Sequence, residues 1–161
     1  MKTVLSILLV SLVLSSCRKE EPKWGSVTSV GSMITVQNKA GIDLLNPSNS
    51  GAFLQQNIKI FYLINGVKEE VFHGNYDYPR NFYIEEVPDG SFRMCLGMNH
   101  SPTEEYPITY VQWSENDTDT LKTKIYREGG LTSCEDIWLN NKLVWKNEDL
   151  AKRERSINII K

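Results

Sequence analysis

The sequence predicts an all-β protein, a single antiparallel β-sandwich of about nine short strands standing behind a removable N-terminal leader. Three observations predict it. Short β-type runs recur from residue 32 onward, separated by Gly, Pro, Asn and Asp. Pro79, Pro88, Pro102 and Pro107 fall in or beside those separators, as strand pairing requires. No stretch behind residue 17 carries a long helical stripe of apolar side chains. The expected division is a leader at 1–16, a tether at 17–31 and the sandwich at 32–161.

The leader comes first. Lys2 precedes an eleven-residue run, Val4 to Leu14, interrupted only by Ser6 and Ser11. As a helix that run spans about 16 Å at about 1.5 Å per residue, against a bilayer core of about 30 Å. It therefore reads as a signal peptide rather than a membrane span. Leu14-Ser15-Ser16-Cys17 closes it and resembles the bacterial lipobox. That resemblance implies cleavage before Cys17 and acylation of its thiol, so that two or three buried chains hold the protein to a membrane. An ordinary secretory signal with an incidental cysteine is the alternative. Cys17-Arg18-Lys19-Glu20-Glu21 resembles the export signal of Bacteroidetes lipoproteins, matched at Lys19, Glu20 and Glu21. It implies an outer-membrane anchor facing the cell exterior, while the same residues also describe a charged, solvated tether. Pro22, Gly25 and Gly31 break any periodicity in the tether, and Trp24 is placed there as a membrane-near contact.

Met33 to Gln37 is the first expected strand, ended by Asn38-Lys39-Ala40-Gly41. Ile58 to Ile64 is apolar on both faces, which suits a central strand covered on each side. Asn65-Gly66 predicts a tight hairpin with Val67 to Phe72 returning. Asn81 to Glu86 is closed by Pro88-Asp89-Gly90. In Ser91 to Met98, Phe92, Met94, Leu96 and Met98 share one face, and Arg93, Cys95 and Gly97 the other. Ile108 to Trp113 and Thr120 to Tyr126 are joined across residues 115–119, and Glu135 to Leu139 pairs with Lys142 to Lys146 around Asn140-Asn141. A charged link or short helix at 147–155 precedes Ile157 to Ile160, a candidate closing strand.

The 161 residues carry 18 basic and 20 acidic side chains, and removing residues 1–16 leaves 17 against 20, a net charge of −3. Nothing in that balance attracts nucleic acid or anionic lipid. One domain is expected, and it is long enough for a real core. Cys95 and Cys134 remain as a candidate disulfide in an exported chain, or as two separate buried thiols.

Gly41-Ile42-Asp43-Leu44-Leu45-Asn46-Pro47, followed by Asn57-Ile58-Lys59-Ile60 and Asn65-Gly66, resembles a group of small Bacteroidetes surface lipoproteins. Asn116 to Thr120 and the closing Ile137 to Trp145 continue the likeness. It implies the same address and a β-sandwich, without naming an activity. The opening strand–turn–strand also resembles transthyretin-like and carboxypeptidase-regulatory-like sandwiches, and an immunoglobulin-like arrangement fits the same pattern. Physically, Asp43 suits an Asx-type turn in which its carboxylate accepts backbone N–H groups while Leu44 and Leu45 plug the core. Asp43 and Asn46 alone are too few oxygens for calcium.

No nucleophile elbow, zinc helix, Walker loop or dinucleotide fingerprint is present, and no cofactor or metal is called for. Glu85-Glu86, Glu104-Glu105 and Glu135-Asp136 are carboxylate pairs, but adjacency on a strand points neighbours to opposite faces. His73 and His100 each stand beside an expected turn. Asp119-Thr120-Leu121 resembles the acceptor of Bacteroidetes O-glycosylation, which implies a glycan on Thr120. The segment His73 to Tyr83 is the best binding candidate: Tyr76 and Tyr78 can stack on sugar faces, while Asp77 and Arg80 bond hydroxyls. The alternative is that both tyrosines cover a sheet edge. The expected function is a non-enzymatic, lipid-anchored binding domain for a glycan or an envelope partner. Its rivals are a scaffold or assembly subunit that pairs edge strands and a small carboxylate hydrolase.

Overall fold

The computed structural model describes residues 25–147 and 154–161. The expectations for the leader, Cys17, Lys19, Glu20, Glu21, Trp24 and most of the 147–155 link lie outside those residues. The described chain is all-β with 53% strand, arranged in two sheets, one of them curled into a half-barrel. There are eleven strands: β1 (Val27–Ser29), β2 (Gly31–Gln37), β3 (Lys59–Ile64), β4 (Val67–Glu70), β5 (Phe82–Glu86), β6 (Phe92–Gly97), β7 (Ile108–Ser114), β8 (Asp117–Glu128), β9 (Leu131–Leu139), β10 (Lys142–Lys146) and β11 (Ser156–Ile160). The seven-stranded sheet runs β1-β9-β8-β7-β3-β4, with β10 also on β9, and the four-stranded sheet runs β11-β2-β6-β5.

Two of the pairings correct the antiparallel expectation. β1 lies parallel to β9, and β11 parallel to β2. A second correction concerns the tether, because residues 27–31, expected in it, supply β1 and the start of β2. Their short polar run carries no alternation, so only the partner strand β9 defines β1. A third point concerns β3, which is an interior strand between β7 and the edge strand β4, with Ile60 buried and Phe61 to Ile64 only half-buried. Its outward Phe61 is capped instead by the Lys68 ammonium, 4.4 Å from the ring centroid.

Hairpins follow their turn residues. Asn65 and Gly66 (φ 51° and 80°) and Asn140 and Asn141 (φ 48° and 69°) both adopt the left-handed pair that matches strand twist. In β6 the alternation is as expected, with Met94 and Leu96 buried and Cys95 turned outward. One core lies between the sheets: Ile34, Val36, Met94, Leu96, Ile157 and Ile159 from the smaller, and Ile60, Val111, Trp113, Leu121, Ile125 and Ile137 from the larger.

Polar side chains tie the sheets at their ends. The Tyr62 hydroxyl of β3 donates to Gly97 O of β6 at 2.8 Å and accepts from Asn81 Nδ2 at 2.6 Å. Asp43 accepts from Leu45 N and from Phe92 N, both at 2.8 Å, which is the expected Asx turn extended to the start of β6. Leu44 and Leu45 are buried beneath it. The loop expected at 115–119 is shorter, since β8 already begins at Asp117. Asp119 turns inward and accepts from Trp113 Nε1, Asn140 Nδ2 and Lys161 Nζ, each at 2.7 Å. Those three donors outweigh the poor strand propensity of aspartate. Asp117 receives the same ammonium at 2.5 Å.

Candidate binding cleft

The outer face of the four-stranded sheet carries a cleft of about 350 Å³. Its position follows from local sequence. Phe82 fills the core, so the pleat turns Tyr83 outward. Tyr83 faces Cys95 across β5–β6, and Cys95 faces Met33 across β6–β2. In the next row Gly97 faces Gly31, and the Asn81 side chain lies directly over Gly97. Just before β5, Asn81 takes φ 57°, and its N–H bonds Tyr78 O at 2.9 Å. That turn folds Tyr78 back onto Tyr83, with ring centroids 4.4 Å apart and planes at 26°. Glu154 and Arg155 form the opposite lining.

The wall is aromatic and the rim polar. Tyr78 stays 49% exposed, which leaves ring surface available for stacking. The hydrogen bond between the Tyr83 hydroxyl and the Cys95 thiol, followed by the Cys95 charge, desolvation and the nearby Glu85 carboxylate, pushes the Tyr83 phenol up to about 12. The phenol is therefore a neutral donor at ordinary pH. Burial raises the Cys95 thiol, and its contact with Glu85 Oε1 at 3.5 Å adds to the effect. A thiolate nucleophile is thus disfavoured at this position. Glu85 is held by Arg93 Nε at 2.7 Å, and this bond keeps the carboxyl below its usual range. Arg155 donates from Nη1 to Ser29 Oγ at 3.2 Å and stands over the Trp145 ring at 5.4 Å. Its Nε is buried with no partner. The cleft can stack a flat ring and exchange hydrogen bonds with hydroxyls, which is recognition chemistry.

The sequence-named residues distribute unevenly. Tyr78 lines this cleft and a neighbouring one of about 250 Å³, which Asp77 and Arg80 also line. Arg80 is engaged by Gln56 O at 3.0 Å and stands 4.0 Å from Glu70. Tyr76, 60% exposed, leans on His73 instead, at 4.9 Å between centroids, and lines neither cavity. The candidate disulfide is corrected: Cys95 and Cys134 are free. Cys95 points outward from the smaller sheet, whereas Cys134 is buried in the core on β9. Thr120 lies on β8, half-buried, with its N–H bonded to Asn140 Oδ1 at 2.9 Å. Among the described residues no three His, Cys, Asp or Glu side chains gather as a metal site.

Met33, Glu154 and Arg155 carry no binding signal in the sequence, and Tyr83 stands in the candidate segment without a role of its own. Tyr83 ends the segment His73 to Tyr83, but its partners Cys95 and Tyr78 emerge only from strand register and the Asn81 turn. Comparison with family models, with curated proteins and with solved structures gives no match for this chain.

Proposed function

We propose that the protein is a lipid-anchored cell-envelope module, not an enzyme, in which a β-sandwich presents the Tyr78–Tyr83 cleft to a saccharide. The observation that carries the reading is the stacked tyrosine pair on the wall of an open cleft, with one ring half-exposed. Such a pair offers a rigid apolar plate beside hydroxyl and guanidinium donors, the combination that suits a pyranose ring. Face-to-face packing of the two sheets as a sandwich is supported by the single core they share. The lipid anchor at Cys17 and the exterior outer-membrane address rest on the residues before and after it. Strand addition at β5, the scaffold alternative, is disfavoured because Gln55 Oε1 already accepts from Ile84 N at 2.8 Å on that edge.

The test is a glycan array probed with the full-length protein in detergent, followed by calorimetry on any hit. Tyr78→Ala is expected to weaken binding by about tenfold or more, the loss of one stacking contact in a small site. Tyr76→Ala is expected to leave it unchanged. Binding that survives Tyr78→Ala overturns the cleft assignment. For the address, radiolabelled palmitate incorporation that is lost in Cys17→Ala is expected, and a chain fully protected from protease on intact cells rejects exterior display.

A further inference from the structure

We infer that the outer face of the seven-stranded sheet is a second binding surface, for a linear anionic saccharide of the polyuronate class, separate from the cleft on the smaller sheet. Ile60, Val111, Leu121 and Ile137 are fully buried. The pleat therefore turns Phe61, Tyr110, Lys122 and Trp138 away from the core. Phe61 faces Tyr110 across β3–β7, and Lys122 faces Trp138 across β8–β9. The Lys68 ammonium stands 4.4 Å from the Phe61 centroid and 4.7 Å from that of Tyr110. The Lys122 ammonium stands 4.8 Å from Trp138 and 6.0 Å from Tyr106. Each cation thus rests against two aromatic rings, an attraction between charge and ring quadrupole.

Several neighbouring charges stand opposite one another. Glu70 pairs with Lys59 at 3.7 Å, Glu135 pairs with Lys124 at 2.8 Å, and Asp136 faces Lys146 across β9–β10. Among the described residues, no carboxylate lies within ion-pair distance of Lys68 or Lys122. Two unneutralised cations on an otherwise acidic protein are complementary to an anion. Lys68 and Lys122 stem from strands three apart, about 14 Å at about 4.8 Å per strand, and their ammoniums rest on different ring pairs, so an extended ligand meets both. The surface between them is ring and aliphatic carbon, which stacks on sugar rings. Phe61, Tyr110 and Trp138 are half-buried beneath the lysine stems. Flat rings of this kind suit a saccharide chain better than a bilayer, which takes up protruding apolar side chains.

The full-length protein is titrated with polygalacturonate and with neutral dextran at low and at physiological salt. Polygalacturonate is expected to bind and to weaken as salt rises, while dextran does not bind. Lys68→Gln combined with Lys122→Gln is expected to weaken binding by at least about tenfold. Lys68→Arg with Lys122→Arg keeps it within about twofold, since charge and stacking survive. Trp138→Leu, which keeps apolar bulk and removes the ring, provides an independent loss. Tyr78→Ala leaves this binding intact, which separates it from the cleft. No polygalacturonate binding at low salt overturns the inference, as does full binding by the Gln pair. Lysine-dependent capture by phosphatidylglycerol vesicles with none by polygalacturonate overturns it too, assigning the face to lipid.

Discussion

Asp119→Asn is a stringent test of how the two sheets are joined. The carboxylate is buried and accepts from Trp113 Nε1, Asn140 Nδ2 and Lys161 Nζ at 2.7 Å each. An amide of the same shape has one acceptor oxygen and one NH2 group. If the oxygen stays toward Trp113 and Lys161, the NH2 meets Asn140 Nδ2, a donor against a donor. Asn140 has no remedy by flipping, because its Oδ1 already accepts from Thr120 N at 2.9 Å. One unsatisfied buried donor costs about 1–3 kcal/mol, and weakening two charge-assisted bonds adds about 1 kcal/mol. The expected loss at pH 7 is therefore about 2–4 kcal/mol, read as a lower urea midpoint with unchanged slope. The pH dependence follows from the same geometry. Burial alone would raise the Asp119 carboxyl, but hydrogen bonds from Lys161, Asn140 and Trp113 hold it below the usual carboxylate range. A depressed carboxyl contributes fully above its unfolded value of about 3.9 and loses that contribution as pH falls through the folded value. The gap between wild type and Asp119→Asn should then shrink as pH falls below about 4. A loss under about 0.5 kcal/mol at pH 7, or a gap that is constant with pH, would refute the reasoning.

Two further outcomes are expected. A Cβ at Gly97 would lie 2.4 Å from Asn81 Nδ2, a group already tied to the Tyr62 hydroxyl. Gly97→Ala should therefore cost about 1–3 kcal/mol in urea unfolding and disturb the Tyr78 turn, and wild-type stability would contradict that contact. The Cys134 thiol, pushed up to about 12 by burial, should resist alkylation until the chain unfolds. Rapid labelling of native Cys134, or a mass shift on reduction that maps to Cys95 and Cys134, would show the cysteine placement to be wrong.

What the sequence discloses depends on how local the cause is. Hairpins at Asn65-Gly66 and Asn140-Asn141 are legible because the left-handed conformation belongs to those residues themselves. The alternation of β6 and the Asp43 turn are legible for the same reason. β1 and the parallel pairing of β11 are not, because a parallel partner leaves no mark in the strand that receives it. Asp117 and Asp119 read as a loop since nothing nearby announces Lys161 as their partner. Asn99 is a similar case. It is buried and donates to Leu63 O and Ile108 O at 3.0 and 3.1 Å, while its Oδ1 accepts from Ser101 N at 3.0 Å. The distant Leu63 carbonyl is one of the three backbone groups that decide that site. In the cleft, Tyr78 could be named because loop aromatics are conspicuous, but its partner Tyr83 depends on the register of β5 with β6.

The parallel seam of β2 and β11 has a kinetic consequence. Thr35 and Asn158 hydrogen-bond across it although they stand 123 positions apart in the chain. Contacts of such high sequence separation form late, because loop closure must be met before they reward the chain. Until β11 docks, the flank of β2 that it covers is an open edge beside Ile34 and Val36, and Ile157 and Ile159 have no core to enter. A nascent chain therefore carries an adhesive strand edge at least until Ile160 has been made. Chaperone dependence in production should track β11: Ile157→Asp, which bars its docking, should send the protein into aggregates rather than into a soluble partly folded form.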